Sequence, residues 1–84
     1  MDEMLTSNQY KVLETMYDHT VMIGDSTYCP LSQSEVAKKL GLSRPMVNKF
    51  FSDLKKAGYI EMIVRGKWRL SGKASEMLRV TRKL

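Results

Sequence analysis

The chain has 84 residues, of which 43% are hydrophobic and 27% are charged, and its formal net charge is +5. This size predicts a single domain spanning residues 1–84, with a core so small that the pairing of two copies would add stability. Because no apolar run is longer than that at residues 21–23, and because residues 1–3 are acidic rather than basic, the sequence excludes a transmembrane helix and a secretory signal peptide and predicts a cytoplasmic protein.

The first predicted helix covers residues 7–19. It begins after Thr6, whose hydroxyl fits a capping box with the Gln9 amide, and its apolar residues recur at helical spacing on one face. The β-branched residues that follow favour an extended backbone, so residues 20–28 are predicted to form a loop or a small Gly-Asp hairpin. This segment leads into a short predicted strand over residues 28–31.

Two short helices are predicted next, over residues 33–40 and 44–57. Ser32 begins a second capping box, and Gly41 supplies the left-handed residue that ends the first of these two helices. Only three residues, 41–43, separate the helices, and this spacing is typical of the sharp joint of a helix-turn-helix.

The pattern changes from helical to strand-like after Gly58. Apolar residues predict strands over residues 59–64 and 67–70, joined by a tight turn, and Ser71 caps a last predicted helix over residues 72–82. The predicted fold class is therefore α+β, with a three-helix core, a short two- or three-stranded antiparallel sheet and a C-terminal helix.

The middle of the chain carries a family resemblance. Residues 31–47 (LSQSEVAKKLGLSRPMV) resemble the helix-turn-helix of bacterial winged-helix regulators, and residues 54–60 (LKKAGYI) look like the end of their recognition helix and the start of their wing. Residues 68–71 (WRLS) are similar to the strand-to-helix step after the wing in MarR-type proteins. The resemblance covers about residues 30–72 and implies a short winged helix-turn-helix that binds DNA. The chain departs from MarR-type proteins in its very short wing and in showing no long flanking helices of the kind through which their dimers associate.

The charge distribution favours a polyanionic partner for the second half of the chain. Residues 1–42 carry three basic and six acidic side chains, a net charge of −3. Residues 43–84 carry eleven basic and three acidic side chains, a net charge of +8. We therefore expect double-stranded DNA to bind the second half.

The predicted recognition helix, residues 44–57, has a polar face opposite its apolar one. On such a face, arginine and lysine reach guanine acceptors or phosphates, asparagine pairs with adenine, and methionine contacts the thymine methyl group. The start of the preceding helix can hold a phosphate, and the wing tip can lie against the minor groove or the backbone. The residues predicted to contact DNA are Ser32, Gln33, Ser34, Ser43, Arg44, Pro45, Met46, Asn48, Lys49, Ser52, Arg65, Gly66 and Lys67.

The remaining residues with chemically reactive side chains do not form a catalytic or metal-binding pattern. The single cysteine, Cys29, and the single histidine, His19, exclude an internal disulfide and a zinc site, and no nucleophile–base pair is visible. We therefore predict no enzyme activity, metal, cofactor or small-molecule ligand. Two interpretations stay open for Lys73, Arg79, Arg82 and Lys83 of the last helix, a solvated face and contact with DNA, and the solvated face is favoured. Phe50 lies off the apolar stripe, and three interpretations stay open for it: half exposure, packing on the first helix, or a dimer contact.

These observations favour a sequence-specific DNA-binding protein that acts as a transcriptional repressor. A homodimer is expected because one small module contacts few bases. Two alternatives stay open. One is a plasmid or phage protein that binds repeated DNA sites for partition or replication. The other is a winged-helix module that binds a protein and never touches DNA.

Overall fold

Four helices and two strand pairs make up the fold of residues 5–81, which are the residues that the computed structural model describes. In chain order they are α1 (Ser7–Asp18), β1 (Val21–Ile23), β2 (Ser26–Tyr28), α2 (Gln33–Leu40), α3 (Arg44–Lys56), β3 (Ile60–Val64), β4 (Lys67–Leu70) and α4 (Gly72–Thr81). The predicted end of the last helix at residue 82 lies outside the described residues. None of the helices in residues 5–81 is long and apolar enough to cross a membrane.

Helices α1 and α2 both begin at capping boxes. The Thr6 hydroxyl accepts a hydrogen bond from the Gln9 backbone N–H at 3.1 Å, and the Thr6 N–H donates to the Gln9 side-chain oxygen at 3.0 Å. Ser32 and Glu35 make the same reciprocal pair at 3.1 and 2.8 Å. Each box satisfies N–H groups that the first turn leaves without an intrahelical acceptor, and this fixes where the helix begins.

The turn between α2 and α3 sets the direction of α3. Gly41 ends α2 with a φ of +69°, which residues with a side chain adopt only under strain. The Leu42 N–H then donates to the Ala37 carbonyl at 2.9 Å, and the Leu42 side chain packs against the core. Ser43 caps α3 by accepting a hydrogen bond from the Met46 N–H at 3.3 Å. The segment is therefore the turn of a helix-turn-helix.

In the described part of the chain, residues 5–81, one cluster of buried apolar side chains lies between the helices and strand β4. The Phe51 ring of α3 meets the Trp68 ring of β4 edge to face, with centroids 5.0 Å apart and an interplanar angle of 86°. Edge-to-face contact is a favoured arrangement of aromatic rings, so the core joins α3 directly to β4. The other buried members are Val12, Leu13, Met16, Cys29, Leu31, Val36, Ala37, Val47, Leu54, Tyr59, Ile60, Leu70, Ala74 and Leu78.

Strands β3 and β4 form a short two-stranded antiparallel wing after α3. Val64 lies opposite Lys67 across a two-residue turn, in which Gly66 has a φ of +83°. The pairing register shifts between Met62 and Val64, so β3 carries a bulge near its end. A helix-turn-helix followed by such a hairpin is a winged helix-turn-helix, and the predicted α+β fold class is confirmed.

The strand predicted over residues 28–31 lies earlier in the chain. β1 and β2 form the hairpin that the sequence offered as an alternative to a loop, and β2 ends at Tyr28. Beyond it only Cys29 pairs, through a single antiparallel bridge in which its N–H donates to the Trp68 carbonyl at 2.7 Å. Pro30 has no N–H to donate, which explains why the pairing stops there.

Candidate nucleic-acid interface

Helix α3 presents a polar face to solvent. Its buried residues are Val47, Phe51 and Leu54, which recur at intervals of four and three residues and so turn the opposite side outward. The α3 residues predicted to contact DNA, together with the N-cap serine, are all exposed: Ser43, Arg44, Pro45, Met46, Asn48, Lys49 and Ser52. This face therefore combines positive charges, hydroxyl groups, an amide and a thioether within one helix.

A hydrogen bond between two side chains joins α2 to α3 at this face. The Asn48 amide nitrogen donates to the Gln33 side-chain oxygen at 3.2 Å. The same two residues line a shallow depression together with Arg44 and Pro45. The structure thus brings together four of the predicted residues from two helices and gives the Asn48 amide a defined orientation. No local sequence signal indicated this contact, because it depends on how the two helices cross.

The N-terminus of α2 already holds a carboxylate of its own chain. The Glu35 carboxylate accepts a hydrogen bond from the Ser32 backbone N–H, and the Ser32 hydroxyl accepts one from the Glu35 N–H. The bond from the Ser32 backbone is the main reason why the pKa of Glu35 lies below its ordinary value of 4.5. Ser32 is therefore occupied by the cap, whereas the first-turn N–H groups of Gln33 and Ser34 have no acceptor within the helix.

The wing tip carries two exposed basic residues, Arg65 and Lys67, on either side of Gly66. The Lys67 ammonium lies 5.5 Å from the centre of the Tyr28 ring, which is within the range of a cation–π contact. Hairpin β1–β2 therefore lies beside the wing and orients its lysine. No local sequence pattern indicates this contribution of Tyr28, because the contact joins two hairpins that are far apart in the chain.

The base of the wing is electrically neutral. Glu61 and Arg69 lie directly opposite each other in β3 and β4, and their side chains form an ion pair at 2.9 Å. An exposed pair of this kind contributes only about 0–1 kcal/mol to stability. It nevertheless balances the third basic residue of the wing, so the positive charge of the wing is located at its tip.

A family model matches most of the chain. The match covers residues 11–82 and describes a Crp-like helix-turn-helix domain. The chain belongs to the Crp-like helix-turn-helix domain family. A comparison of this Crp-like domain with curated proteins finds no match.

Solved structures with the same fold share little sequence with this Crp-like domain. The complex of S. aureus MepR with DNA has a TM-score of 0.75 at 22% identity, covering 94% of this chain and 63% of that chain. The reduced Fe(II) CO-sensing protein from R. rubrum has a TM-score of 0.73 at 20% identity, covering 84% and 35%. Lactococcus lactis ZitR has a TM-score of 0.72 at 20% identity, covering 99% and 54%. These similarities show the fold, and the Crp-like domain spans less than two thirds of each of these chains.

The Crp-like domain buries its only cysteine in the core. Cys29 has no exposed surface, and burial raises the pKa of its thiol above the ordinary value of 9.0. A thiol that stays protonated is a poor nucleophile and a poor metal ligand. Within residues 5–81, His, Cys, Asp and Glu side chains form no group of three or more that could hold a metal ion.

Two apolar residues of α3 in the Crp-like domain lie outside its buried stripe. Phe50 is half-buried and packs against the core, so its ring extends the core along one edge of α3. Met46 is 41% exposed and stands on the polar face near the start of the helix. Its thioether is therefore accessible to a ligand that approaches this face.

Proposed function

We propose that this Crp-like domain is a sequence-specific transcription regulator that binds double-stranded DNA and acts as a cytoplasmic repressor. The observation that carries the proposal is the exposed face of α3, where Arg44, Asn48 and Lys49 lie opposite an apolar core face. Faces that bind other proteins are usually depleted in lysine and enriched in aromatic residues. Basic and amide side chains on one exposed helix face instead match the donors that base edges and phosphates require.

In this proposal α3 lies in the major groove, with its N-terminal half deepest. Arg44 and Lys49 donate to guanine acceptors or phosphates, Asn48 pairs with adenine, and Met46 contacts a thymine methyl group. The hydrogen bond from Asn48 to Gln33 supports this role, because an amide that is oriented before binding loses less side-chain entropy when the complex forms.

Phosphate contacts come from the start of α2 and from the wing. The N–H groups of Gln33 and Ser34 bind a backbone phosphate at the α2 N-terminus, while Ser32, Ser43, Pro45 and Ser52 border the same surface. The negative charge of the Glu35 carboxylate at the same helix N-terminus weakens this phosphate contact. We therefore assign most of the electrostatic affinity to α3 and to the wing tip, where Arg65, Gly66 and Lys67 lie against the minor groove or the backbone.

The proposed assembly on DNA is a homodimer. One module of this size contacts few base pairs, whereas two copies on half-sites about 10 bp apart double the contacts. An apolar groove between α1 and α4, lined by Leu5, Tyr10 and Met77 among others, offers a surface for the second copy. The sequence resemblance further suggests the MarR type, which stays a prediction.

Binding to DNA from upstream of the protein's own gene tests the proposed function. The purified protein is titrated onto fluorescent duplexes that tile this region and onto an unrelated duplex, at several salt concentrations. We expect one upstream segment to bind more tightly than the unrelated duplex. We also expect affinity to fall steeply with salt, because each contacted phosphate releases counterions. Equal affinity for every duplex at every salt concentration would overturn the proposal of a specific repressor.

A charge-matched pair of double variants tests the assignment to α3. Arg44→Ala combined with Lys49→Ala is expected to abolish the preference for the upstream segment. Lys38→Ala combined with Lys39→Ala removes the same charge from exposed positions in the last turn of α2, and it is expected to keep the preference. If both variants lose affinity equally, net charge rather than the α3 face determines binding. Unchanged binding by the first variant assigns recognition to another surface.

A further inference from the structure

The corner between β4 and α4 is tied to the end of α3 by a set of hydrogen bonds. The Ser71 hydroxyl donates to the Gly58 carbonyl at 2.6 Å, and the Ser71 N–H donates to the Tyr59 carbonyl at 2.9 Å. The Lys73 ammonium donates to the Ala57 carbonyl at 3.0 Å. Three consecutive carbonyls at the exit from α3 are thus held by the residues that follow the wing.

Lys73 occupies a position where its charge has a structural use. The Ala57 carbonyl belongs to the C-cap of α3, where the carbonyls of the last turn attract a positive charge. The ammonium also lies 4.4 Å from the centre of the Tyr59 ring, whose side chain is buried. A carbonyl and an aromatic face together hold the lysine at the joint between α3 and β3.

This joint connects α3 to the start of the wing, in addition to the core contact between Phe51 and Trp68. The chain leaves α3 at Ala57, turns at Gly58 with a φ of +83°, and enters β3 at Ile60. A glycine with a positive φ provides little resistance of its own to bending. The bonds from Ser71 and Lys73 close the turn from the other side, because they connect the end of the wing to its beginning.

We propose that Lys73 is a positioning residue for DNA recognition: it fixes the angle between α3 and the wing without touching DNA. The proposal rests on the proposed function, in which both elements contact one duplex. A fixed angle lets α3 and the wing tip reach the major groove and the neighbouring backbone at the same time, so both sets of contacts form on the same site. Loss of the Lys73 bonds weakens binding to the preferred sequence more than binding to unrelated DNA.

The substitution Lys73→Met tests this role because it keeps most of the apolar stem and removes the donor. Lys73→Arg keeps the charge and donors and serves as the rescue variant. Lys38→Met removes the same charge from an exposed site in the last turn of α2 and serves as the matched control. Ser71 is less suitable, because its hydroxyl also caps α4 by accepting from the Ala74 N–H at 3.3 Å. Circular dichroism and thermal unfolding verify that each variant is folded.

The first measurement compares affinity for a duplex selected by the wild-type protein from a random-sequence library with affinity for an unselected duplex. For Lys73→Met we expect the ratio of the two affinities to fall about two- to tenfold. We expect the slope of log affinity against log salt concentration to stay unchanged. Lys38→Met and Lys73→Arg are expected to keep the wild-type ratio. If Lys73→Met instead lowers the slope of log affinity against log salt concentration by about 1 and leaves the ratio of the two affinities unchanged, Lys73 contacts a phosphate, and the positioning role is overturned.

The second measurement needs no DNA and separates this proposal from the proposed function. Residual dipolar couplings of backbone amides report the orientation of the β3–β4 hairpin relative to α3 in the free protein. In the wild-type protein both elements are expected to fit one alignment tensor, and in Lys73→Met the hairpin is expected to depart from the tensor of α3. A common tensor in both proteins refutes the positioning role even if DNA binding is confirmed. Failure of the wild-type protein to select any duplex refutes the proposed function instead.

Discussion

The hydrogen bond between Gln33 and Asn48 leads to a prediction about how this domain reads sequence. Asn48 is the α3 residue whose amide offers the donor and acceptor that pair with adenine, and this amide donates a hydrogen bond to the neighbouring Gln33 side chain. Asn48→Ala removes the side chain that we propose contacts adenine. Gln33→Ala keeps the Asn48 side chain but removes the oxygen that accepts its hydrogen bond. The two substitutions should therefore weaken recognition to different degrees.

The magnitudes follow from exposure and from the number of contacts. Loss of a bidentate contact with adenine costs about 1–3 kcal/mol, which is about a five- to 150-fold loss of affinity for Asn48→Ala on the preferred site. After Gln33→Ala, the Asn48 side chain must be immobilised when the complex forms. This costs about 0.5–1.5 kcal/mol, which is about a two- to twelvefold loss of affinity. Both residues lie at the surface of the domain, so each substitution should change the free energy of unfolding by less than about 0.5 kcal/mol.

A double-mutant cycle measures the coupling between the two residues. Fluorescence titration gives the affinity of the wild-type protein, both single variants and the double variant for a selected duplex and for an unrelated one. If Gln33 acts through Asn48, the double variant is no weaker than Asn48→Ala, and Asn8→Ala on α1 matches the wild-type protein. Additive losses refute the coupling. An equal loss for Asn48→Ala on the unrelated duplex refutes base reading, because phosphate contacts do not depend on sequence.

Three other predictions concern the α2 cap, the turn and the wing. The lowered pKa of Glu35 means that its ionised form stabilises the fold above its ordinary pKa of 4.5 and that this stability is lost as the pH falls through the lower folded-state pKa. Thermal unfolding should therefore show wild-type protein more stable than Glu35→Gln at neutral pH, with the difference vanishing at acidic pH. Gly41→Ala should lower the free energy of unfolding by about 1–2 kcal/mol in urea titrations, because nothing crowds the added methyl group and only the φ of +69° opposes it; an unchanged midpoint would contradict this reason. Arg65→Ala and Lys67→Ala should each reduce the slope of log affinity against log salt by about 1, and an unchanged slope would place the wing tip away from phosphates.

The helices could be predicted from the sequence because the signals that begin and end them are local. Thr6 and Ser32 each form their capping box with a residue three positions later, and Gly41 marks the end of α2 by its own conformational freedom. The exposed face of α3 follows from the spacing of its buried residues. None of these inferences requires knowledge of which parts of the chain meet in space.

The strand predicted over residues 28–31 lies earlier in the structure, at Ser26–Tyr28, and the pairing just beyond its end is not local. Cys29 bridges to Trp68, and Lys67 lies over the Tyr28 ring, so the neighbours of this segment are about 40 residues away in the sequence. Hydrophobic alternation indicates that a segment is extended, but it does not identify the strand that it pairs with. The hairpin turn at Gly24 was visible in the sequence only as an alternative to a loop.

The contacts between side chains of the candidate site also cannot be predicted from the sequence. Gln33 and Asn48 were both predicted to contact DNA, but their mutual hydrogen bond depends on the angle between α2 and α3. For Lys73 the sequence favours a solvated position and leaves contact with DNA open. In the structure its ammonium holds the Ala57 carbonyl, and this contact becomes visible only when the chain returns from the wing to the end of α3.

Ion pairs in the folded chain neutralise some of the basic residues in its positively charged second half. Arg69 is balanced by Glu61 at the base of the wing, and Arg79 is balanced by Glu76 within α4. Lys73 is held at the end of α3. Among the described residues, no carboxylate pairs with the basic residues of the polar α3 face or of the wing tip, which are Arg44, Lys49, Arg65 and Lys67. Because balanced charges contribute little to the field beyond a Debye length, we expect the attraction for a polyanion to come from these two elements and from the exposed Lys55 and Lys56 in the last turn of α3. The same two elements are those whose relative angle we propose Lys73 fixes, so under the proposed function the distribution of charge and the joint together favour one orientation of the domain on DNA.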